Sequence, residues 1–377
     1  MRWQDGAMTT DDLCVAIGAM TAAHADERVL LDPRHPSTHA GALLHIRHIK
    51  RTIASASMHI GFMHRSAEKL LEVRDYRQGL SLANRHDWLS AFNGELALAL
   101  CVEGALGMPV PDHVSYTRMV MSELARITAG LSFLFTHPVN EAMLQLREEL
   151  LELHERATGA RVHSMFVRIG GVAAALSDQW CAHLLDTLNR PELGAALDRL
   201  AEYWASRRGI GGVSRSQAAQ CGATGPVARG SGLGIDARVD TPYCRYDQVR
   251  IPQVSVDGAG DAPARMTALM EDMRGAIAII EQCVEALSRL RDEPIQVRLP
   301  KVIKVPEGSY YQQVASTGGT AGVLLVSTGE KAPWRLKLRT PSFANAQVLQ
   351  CAATGATIDE LADVVASCLL VFGDSDR

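Results

Sequence analysis

The chain has 377 residues, is 47% hydrophobic and carries a formal net charge of -4 at neutral pH, enough apolar material for one large core or two moderate ones. Its charges are of mixed sign and interspersed, so no basic surface for phosphate contacts is expected and nucleic acid is excluded as a partner. No apolar run reaches the roughly 20 residues that cross a bilayer, and Asp5, Asp11 and Asp12 lie where a signal peptide would be basic and then apolar; the expectation is a soluble chain, cytoplasmic and able to sit against a membrane protein.

In chain order, Met1 to Leu31 is a mixed segment in which one short helix is expected around Asp11 to His24. Asp32 to Gly41 (DPRHPSTHAG) reads as a loop, because Pro33, Pro36 and Gly41 restrict the backbone between His35 and His39. Alternation over Ala42 to Ser57 predicts one or two strands with basic residues outward. From Ala67 the pattern turns helical; a buried helix through Leu96, Val102 and Leu106 stops at Gly107, with Pro109 and Pro111 beyond it. Helices are also expected over Tyr116 to Phe135, Leu144 to Ala157 and Ala173 to Ser206.

Residues 207–247 are dense in Gly and Arg and are expected to be irregular. Ala264 to Leu290 is the clearest helix, with Met266, Met270, Met273, Ile277 and Ile280 at spacings of three and four. Short strands follow within Pro294 to Arg339, and a last helix covers Ile358 to Phe372. The order implies an α+β fold, mainly helical, with small β elements near both ends.

Eight cysteines occur at 14, 101, 181, 221, 244, 283, 351 and 368, with no CxxC. This argues against a zinc ribbon, a cysteine-held iron-sulphur cluster and a thioredoxin-like pair, and leaves small buried hydrophobes in a reducing compartment. Gly230, Gly232 and Gly234 form GxGxG without a preceding strand, and no P-loop, HExxH or GxSxG is present. What remains is a set of His and Arg in irregular segments: His35, His39, His59, His64, Arg65, His86, His163 and Arg168. Imidazoles relay protons near neutral pH, which suits proton-coupled redox chemistry, although each one alone equally fits a hydrogen-bonded structural role.

Seven blocks carry more than a class. HPSTH (35–39), HIGFMHRSAEKL (59–70), RHDWLSAFNGELA (85–97), TGARVHSMFVRIGGV (158–172), TGPVARGSGLGIDARVDTPY (224–243), RLKLRTPSFANAQ (335–347) and FGDSDR (372–377) resemble, in order, the D-type subunit of bacterial NADH-quinone oxidoreductase, which is the 49 kDa-type subunit of respiratory complex I. The resemblance runs from about Leu31 onward, which implies a divergent extension over 1–31 and one domain over 32–377 with the fold of the nickel-iron hydrogenase large subunit. The hydrogenase metal site itself is excluded, since no paired thiolates stand near His64 or in the terminal GDSDR.

The resemblance further implies that quinone is the substrate and that this chain binds no metal, the NADH site and the iron-sulphur clusters lying on partner subunits. The implied partners are the small iron-sulphur subunit, the C-type and ferredoxin-like subunits, and the membrane subunit that holds the quinone channel; the implied place is peripheral, on the cytoplasmic side of the cell membrane. His39 matches the family's headgroup histidine, and Trp88 stands where its usual tyrosine partner lies. A tyrosine hydroxyl can give up a proton, whereas an indole N–H donates only a hydrogen bond. The family's acidic partner of that histidine has no counterpart in Thr136 to Gln145 beyond Glu141. His163 matches the histidine beside the terminal cluster, and Arg65 and Arg168 match positions facing it; a salt bridge joining two loops is the plain alternative for both arginines. Gly230 and Gly232 are expected to allow close backbone approach, and Arg229, Arg238 and Asp240 to pair structurally. TGGTAG near Gly318 replaces the family's charged stretch. Two functions follow: a working quinone-site subunit, or a structural paralogue that keeps the assembly interfaces without the chemistry.

Overall fold

The computed structural model describes residues 11–17, 28–30, 42–134, 141–254 and 256–377. Its first layer is a four-stranded sheet of β1 (Asp11–Ile17), β2 (Arg28–Leu30), β3 (Ala42–Ile49) and β4 (Thr52–His59), in the order β2-β1-β3-β4. The helix expected at 11–24 is a strand over Asp11–Ile17. Leu13, Val15 and Ile17 recur every second residue, a period that suits a strand and not a helix.

Two short helices, α1 (Ala67–Leu71) and α2 (Tyr76–Ala83), lead into α3 (Ala91–Ala105), and the helix stop at Gly107 is as expected, with φ +58. The core is built on α4 (Asp112–Leu134) and the later α11 (Ala262–Ser288). Almost every residue of α4 is buried, so its ionic groups are paired inside. At Gly130 the Met273 side chain of α11 packs onto α4, where a Cβ would press on its sulphur. Asp261 caps α11 by accepting the Ala264 N–H at 3.0 Å, and Pro263 occupies its first turn.

Between them lie α5 (Glu141–Thr158), a small hairpin of β5 (Val167–Arg168) and β6 (Gly171–Val172), and α6 (Asp178–Leu188) and α7 (Pro191–Ala205). The single helical region expected over 173–206 is thus split, since Pro191 starts a new helix and cannot continue the old one. The Gly-Arg segment is not wholly irregular: it forms α8 (Arg215–Gln220), α9 (Gly225–Gly230), α10 (Ala237–Asp240) and a 3-10 turn at Tyr246–Gln248. Gly230 abuts the α11 backbone, where a Cβ would stand 2.8 Å from Arg265 N. Arg229 pairs with Asp272, and Arg238 with Asp236 and Glu123, so these arginines are structural as expected.

A three-stranded antiparallel sheet of β7 (Gly308–Ser316), β8 (Gly319–Ser327) and β9 (Arg335–Arg339) follows, then α12 (Pro341–Ala353), a 3-10 turn at Ile358–Glu360, α13 (Leu361–Ser367) and α14 (Phe372–Ser375). The last helix expected as one piece is interrupted at Leu369, whose φ of +52 turns the chain back into the core. This mixed, largely helical architecture agrees with the α+β expectation. No helix of the described residues is long and apolar enough to cross a membrane.

Candidate functional site

The site is organised by the loop between α2 and α3, residues 84–90, whose sequence is NRHDWLS. Glu95, one turn into α3 and fully buried, anchors it. Its Oε1 accepts from Asn84 Nδ2 and from Ser164 Oγ at 3.1 Å, and its Oε2 accepts the Val167 N–H at 2.9 Å. Burial pushes the Glu95 carboxyl up, while these donors pull it back. One acid thereby ties together the end of α2, the segment after α5 and β5.

Asn84 in turn holds His163. The imidazole Nδ1–H donates to Asn84 Oδ1 at 2.7 Å, and Arg85 Nη1 donates to the same oxygen at 2.7 Å. Arginine can only donate, so that atom is the amide oxygen, His163 carries its proton on Nδ1, and Nε2 is left as an acceptor. Partial burial lowers the His163 pKa, and the Arg85 charge lowers it further. The ring is therefore neutral at pH 7 and able to take a proton when negative charge develops nearby.

Two residues on, His86 and Asp87 are buried. Asp87 accepts from the Ser90 N–H and from Ser316 Oγ, both at 3.0 Å, and Ser90 Oγ donates to Thr317 Oγ1 at 2.9 Å. The β7–β8 turn that includes Gly318 thus supports this loop through Ser316 and Thr317. Asp374 of α14 stands beside them and accepts the Ser342 N–H at 2.9 Å with Oδ2. Its Oδ1 has no hydrogen-bond partner and lies 3.8 Å from His86 Nε2. Burial holds His86 down at about 4, and burial together with the Asp87 charge holds the Asp374 carboxyl far above its ordinary value. Each group is thus pushed toward its neutral form.

Trp88 is half-buried and packs against α14, where a Cβ on Gly373 would overlap its Cζ3. On its other side, with Phe92, Thr128 and Arg147, it lines a cavity of about 40 Å³. Arg65 is exposed, and its side chain makes no hydrogen bond or ion pair among the described residues. It borders a larger cavity of about 300 Å³ with Met63, Leu82, Arg85, His86 and Arg377. The C-terminal segment clamps the loop that carries it: Asp376 accepts the Gly61 and Met63 N–H groups at 2.7 and 2.9 Å, and His64 Nδ1 donates to Arg377 O at 2.7 Å.

Arg168 lies elsewhere. Its guanidinium donates to the Met165 and Val167 carbonyls, and it lines a different cavity of about 530 Å³ with Arg77 and Arg298. Neither Arg65 nor Arg168 forms a salt bridge among the described residues. His39 and the side chain of Glu141 lie outside the described residues. Ser66, Met165 and Leu369 hold left-handed φ angles of +56, +47 and +52, and they flank Arg65, His163 and the C-terminal segment respectively; backbone strain of this kind collects where a site must be held in place. Sequence reasoning missed Arg85, Asp87, Glu95 and Asp374. The one available signal was the density of ionisable residues in RHDW and GDSDR.

The model of the family described as "Respiratory-chain NADH dehydrogenase, 49 Kd subunit" matches residues 138–303 and 296–377. The chain belongs to that family. It is 40% identical over 387 aligned residues to the second NADH-quinone oxidoreductase D-type subunit of Salinispora arenicola, covering 98% of this chain and 100% of the relative. It is 38% identical to the first D-type subunit of Streptomyces coelicolor, covering 98% and 99%, and 32% identical to the D-type subunit of Clostridium beijerinckii, covering 94% and 98%. Membership makes it one subunit of an oxidoreductase complex, with the other subunits of complex I as partners.

Proposed function

We propose that this subunit forms one wall of a quinone headgroup site beside the terminal iron-sulphur cluster of the small iron-sulphur subunit, in the peripheral arm on the cytoplasmic side of the membrane. The observation that carries this reading is the 84–90 loop: its first residue holds His163, Arg85 stands next to it, and Trp88 follows on the same loop. Cluster-facing and quinone-facing groups are thus joined within one short segment. The fold is that of the nickel-iron hydrogenase large subunit over residues 32–377. NADH oxidation and the clusters belong to partner chains, among them the C-type and ferredoxin-like subunits, and the quinone enters through a membrane subunit.

Reduction of a quinone takes two electrons and two protons. The electrons come from the neighbouring cluster, and cationic Arg65 and Arg168 favour its reduced state. His163 takes up a proton at Nε2 as the cluster gains charge. Trp88 holds the ring by stacking and offers an indole hydrogen bond, while the two protons, which an indole cannot give up, come from His39 or water. The complex as a whole couples this transfer to cation movement.

A second reading, a structural paralogue without quinone chemistry, draws on Trp88 itself. Its indole is packed on Gly373 and the cavity beside it measures about 40 Å³, small against the roughly 300 Å³ or more of ordinary ligand pockets. The two separate in membranes where this chain is the only D-type subunit and assembly is verified by purification. Inhibitor-sensitive NADH-to-quinone turnover that falls in His39→Ala supports the working site. An assembled complex with a reducible terminal cluster and no quinone turnover establishes the scaffold.

A further inference from the structure

Cys221 and Cys351 are 130 residues apart in sequence, yet their sulphurs are in contact at 3.7 Å. Cys221 caps the C-terminus of α8, and Cys351 lies in the last turns of α12. The two segments are docked along one seam, since the Thr224 N–H donates to Asn345 Oδ1 at 3.3 Å and Gly222 faces Ala344. Both cysteines are half-buried, so a small solute reaches them, whereas Cys101, Cys181, Cys283 and Cys368 are buried in the core. A disulfide needs the sulphurs at about 2.05 Å, a closure within reach of side-chain rotation when the two helices are already packed.

We propose that Cys221 and Cys351 form a peroxide-oxidisable dithiol, a modification site at which this chain acquires an internal disulfide. The contact brings the two sulphurs together, and the order of reaction is part of the proposal. Burial and the neighbouring sulphur push the Cys221 thiol up to about 11, and across the 3.7 Å contact either sulphur can donate its S–H to the other. Cys351 is proposed to attack first, because the raised Cys221 thiol is the poorer source of thiolate. It forms an S–O bond with the peroxide as the O–O bond breaks, releasing one water and leaving a sulfenic acid. The Cys221 sulphur attacks that sulphur, the S–S bond forms, the S–O bond breaks, and a second water leaves with the Cys221 proton. Two thiols lose two electrons and two hydrogens in all, and one peroxide becomes two waters. The seam so locked includes α12, whose first turn holds the site's C-terminal segment through Ser342 and Asp374.

The test is hydrogen peroxide, one equivalent per chain, on the purified complex, followed by alkylation and non-reducing tryptic mapping. Cys221 lies in the peptide 216–229 and Cys351 in 340–377. The expected product is these two peptides joined, lighter by two hydrogens than their sum, reversed by dithiothreitol, with fragmentation placing the bond at Cys351 and not at Cys368. In Cys221→Ser the reaction stops at a Cys351 sulfenic acid that dimedone traps, and in Cys351→Ser neither species forms. Full alkylation of both thiols after peroxide, or a bond to Cys368, overturns the proposal; a sulfenic acid on Cys221 in Cys351→Ser overturns the order of attack.

Discussion

His86 Nε2 and Asp374 Oδ1 face each other across 3.8 Å in the core. Burial holds the imidazole down at about 4, and burial together with the nearby Asp87 charge raises the acid's pKa. The sign of the pH dependence follows for each. A histidine held at about 4 binds fewer protons folded than unfolded, so its contribution to stability is present above the ordinary value of about 6.5 and is lost as pH falls toward about 4. A carboxyl whose folded pKa is raised contributes most below its ordinary value and loses that contribution as pH rises through the folded one. His86→Asn is therefore expected to flatten the acid limb of a melting-temperature profile, and Asp374→Asn the limb at higher pH. Profiles of both variants that parallel the native one would show that the two groups titrate in the fold as they do in water.

Trp88 and Gly373 define a steric test. Gly373→Ala drives a methyl into the indole and is expected to cost about 1–3 kcal/mol in urea unfolding, with Trp88→Ala recovering part of that loss in the double variant. Trp88→Tyr shortens the side chain at the same place and adds a hydroxyl proton. On the quinone-site reading it raises NADH-to-quinone turnover; unchanged turnover would separate the family's tyrosine chemistry from this chain.

Arg118 and Glu103 form a buried bidentate pair at 2.8 and 2.6 Å, and Arg118 also donates to the Arg168 and Gly171 carbonyls at 2.8 and 3.1 Å. This pair anchors the β5–β6 hairpin on α3 and α4. Arg118→Met leaves a carboxylate buried without its partner and is expected to cost about 3–5 kcal/mol. The double variant with Glu103→Leu should be less destabilised than Arg118→Met alone. Denaturant midpoints of the three proteins measure both effects.

Arg85 lowers the His163 pKa through its charge. Arg85→Gln is expected to move the His163 titration to higher pH. On the proposed function it is read as a break in the pH dependence of the neighbouring cluster's midpoint potential, displaced upward in the variant and absent in His163→Ala. A break that stays in place in Arg85→Gln would remove Arg85 from this coupling.

Much of the fold was legible because its long helices declare themselves. The apolar spacing from Met266 to Ile280 marked α11, and Gly107 marked the end of α3 with its left-handed backbone. The readings that failed rest on short range. Asp11–Ile17 is too short for helix and strand to separate without attention to its alternation, and the turn at Leu369 is imposed by packing, with no Gly or Pro to announce it. Within the site, His163 and Trp88 were named from the sequence, and His86 was counted among the candidate histidines. Asp87 and Asp374 were not, since nothing local says that acids 287 positions apart in the numbering feel each other's charge.

The sequence alone determined the class of the protein: a mainly helical chain with two small β regions and seven ordered blocks that resemble one family. Only the tertiary structure decided which groups act on one another. His163 is oriented by Asn84, a C-cap of α2; the Asp374 carboxyl is pushed up by burial and by Asp87; Cys351 meets Cys221. Periodicity and motifs are written in neighbouring residues, while protonation and thiol pairing depend on burial and on distances of a few ångströms between segments that only the folded core brings together.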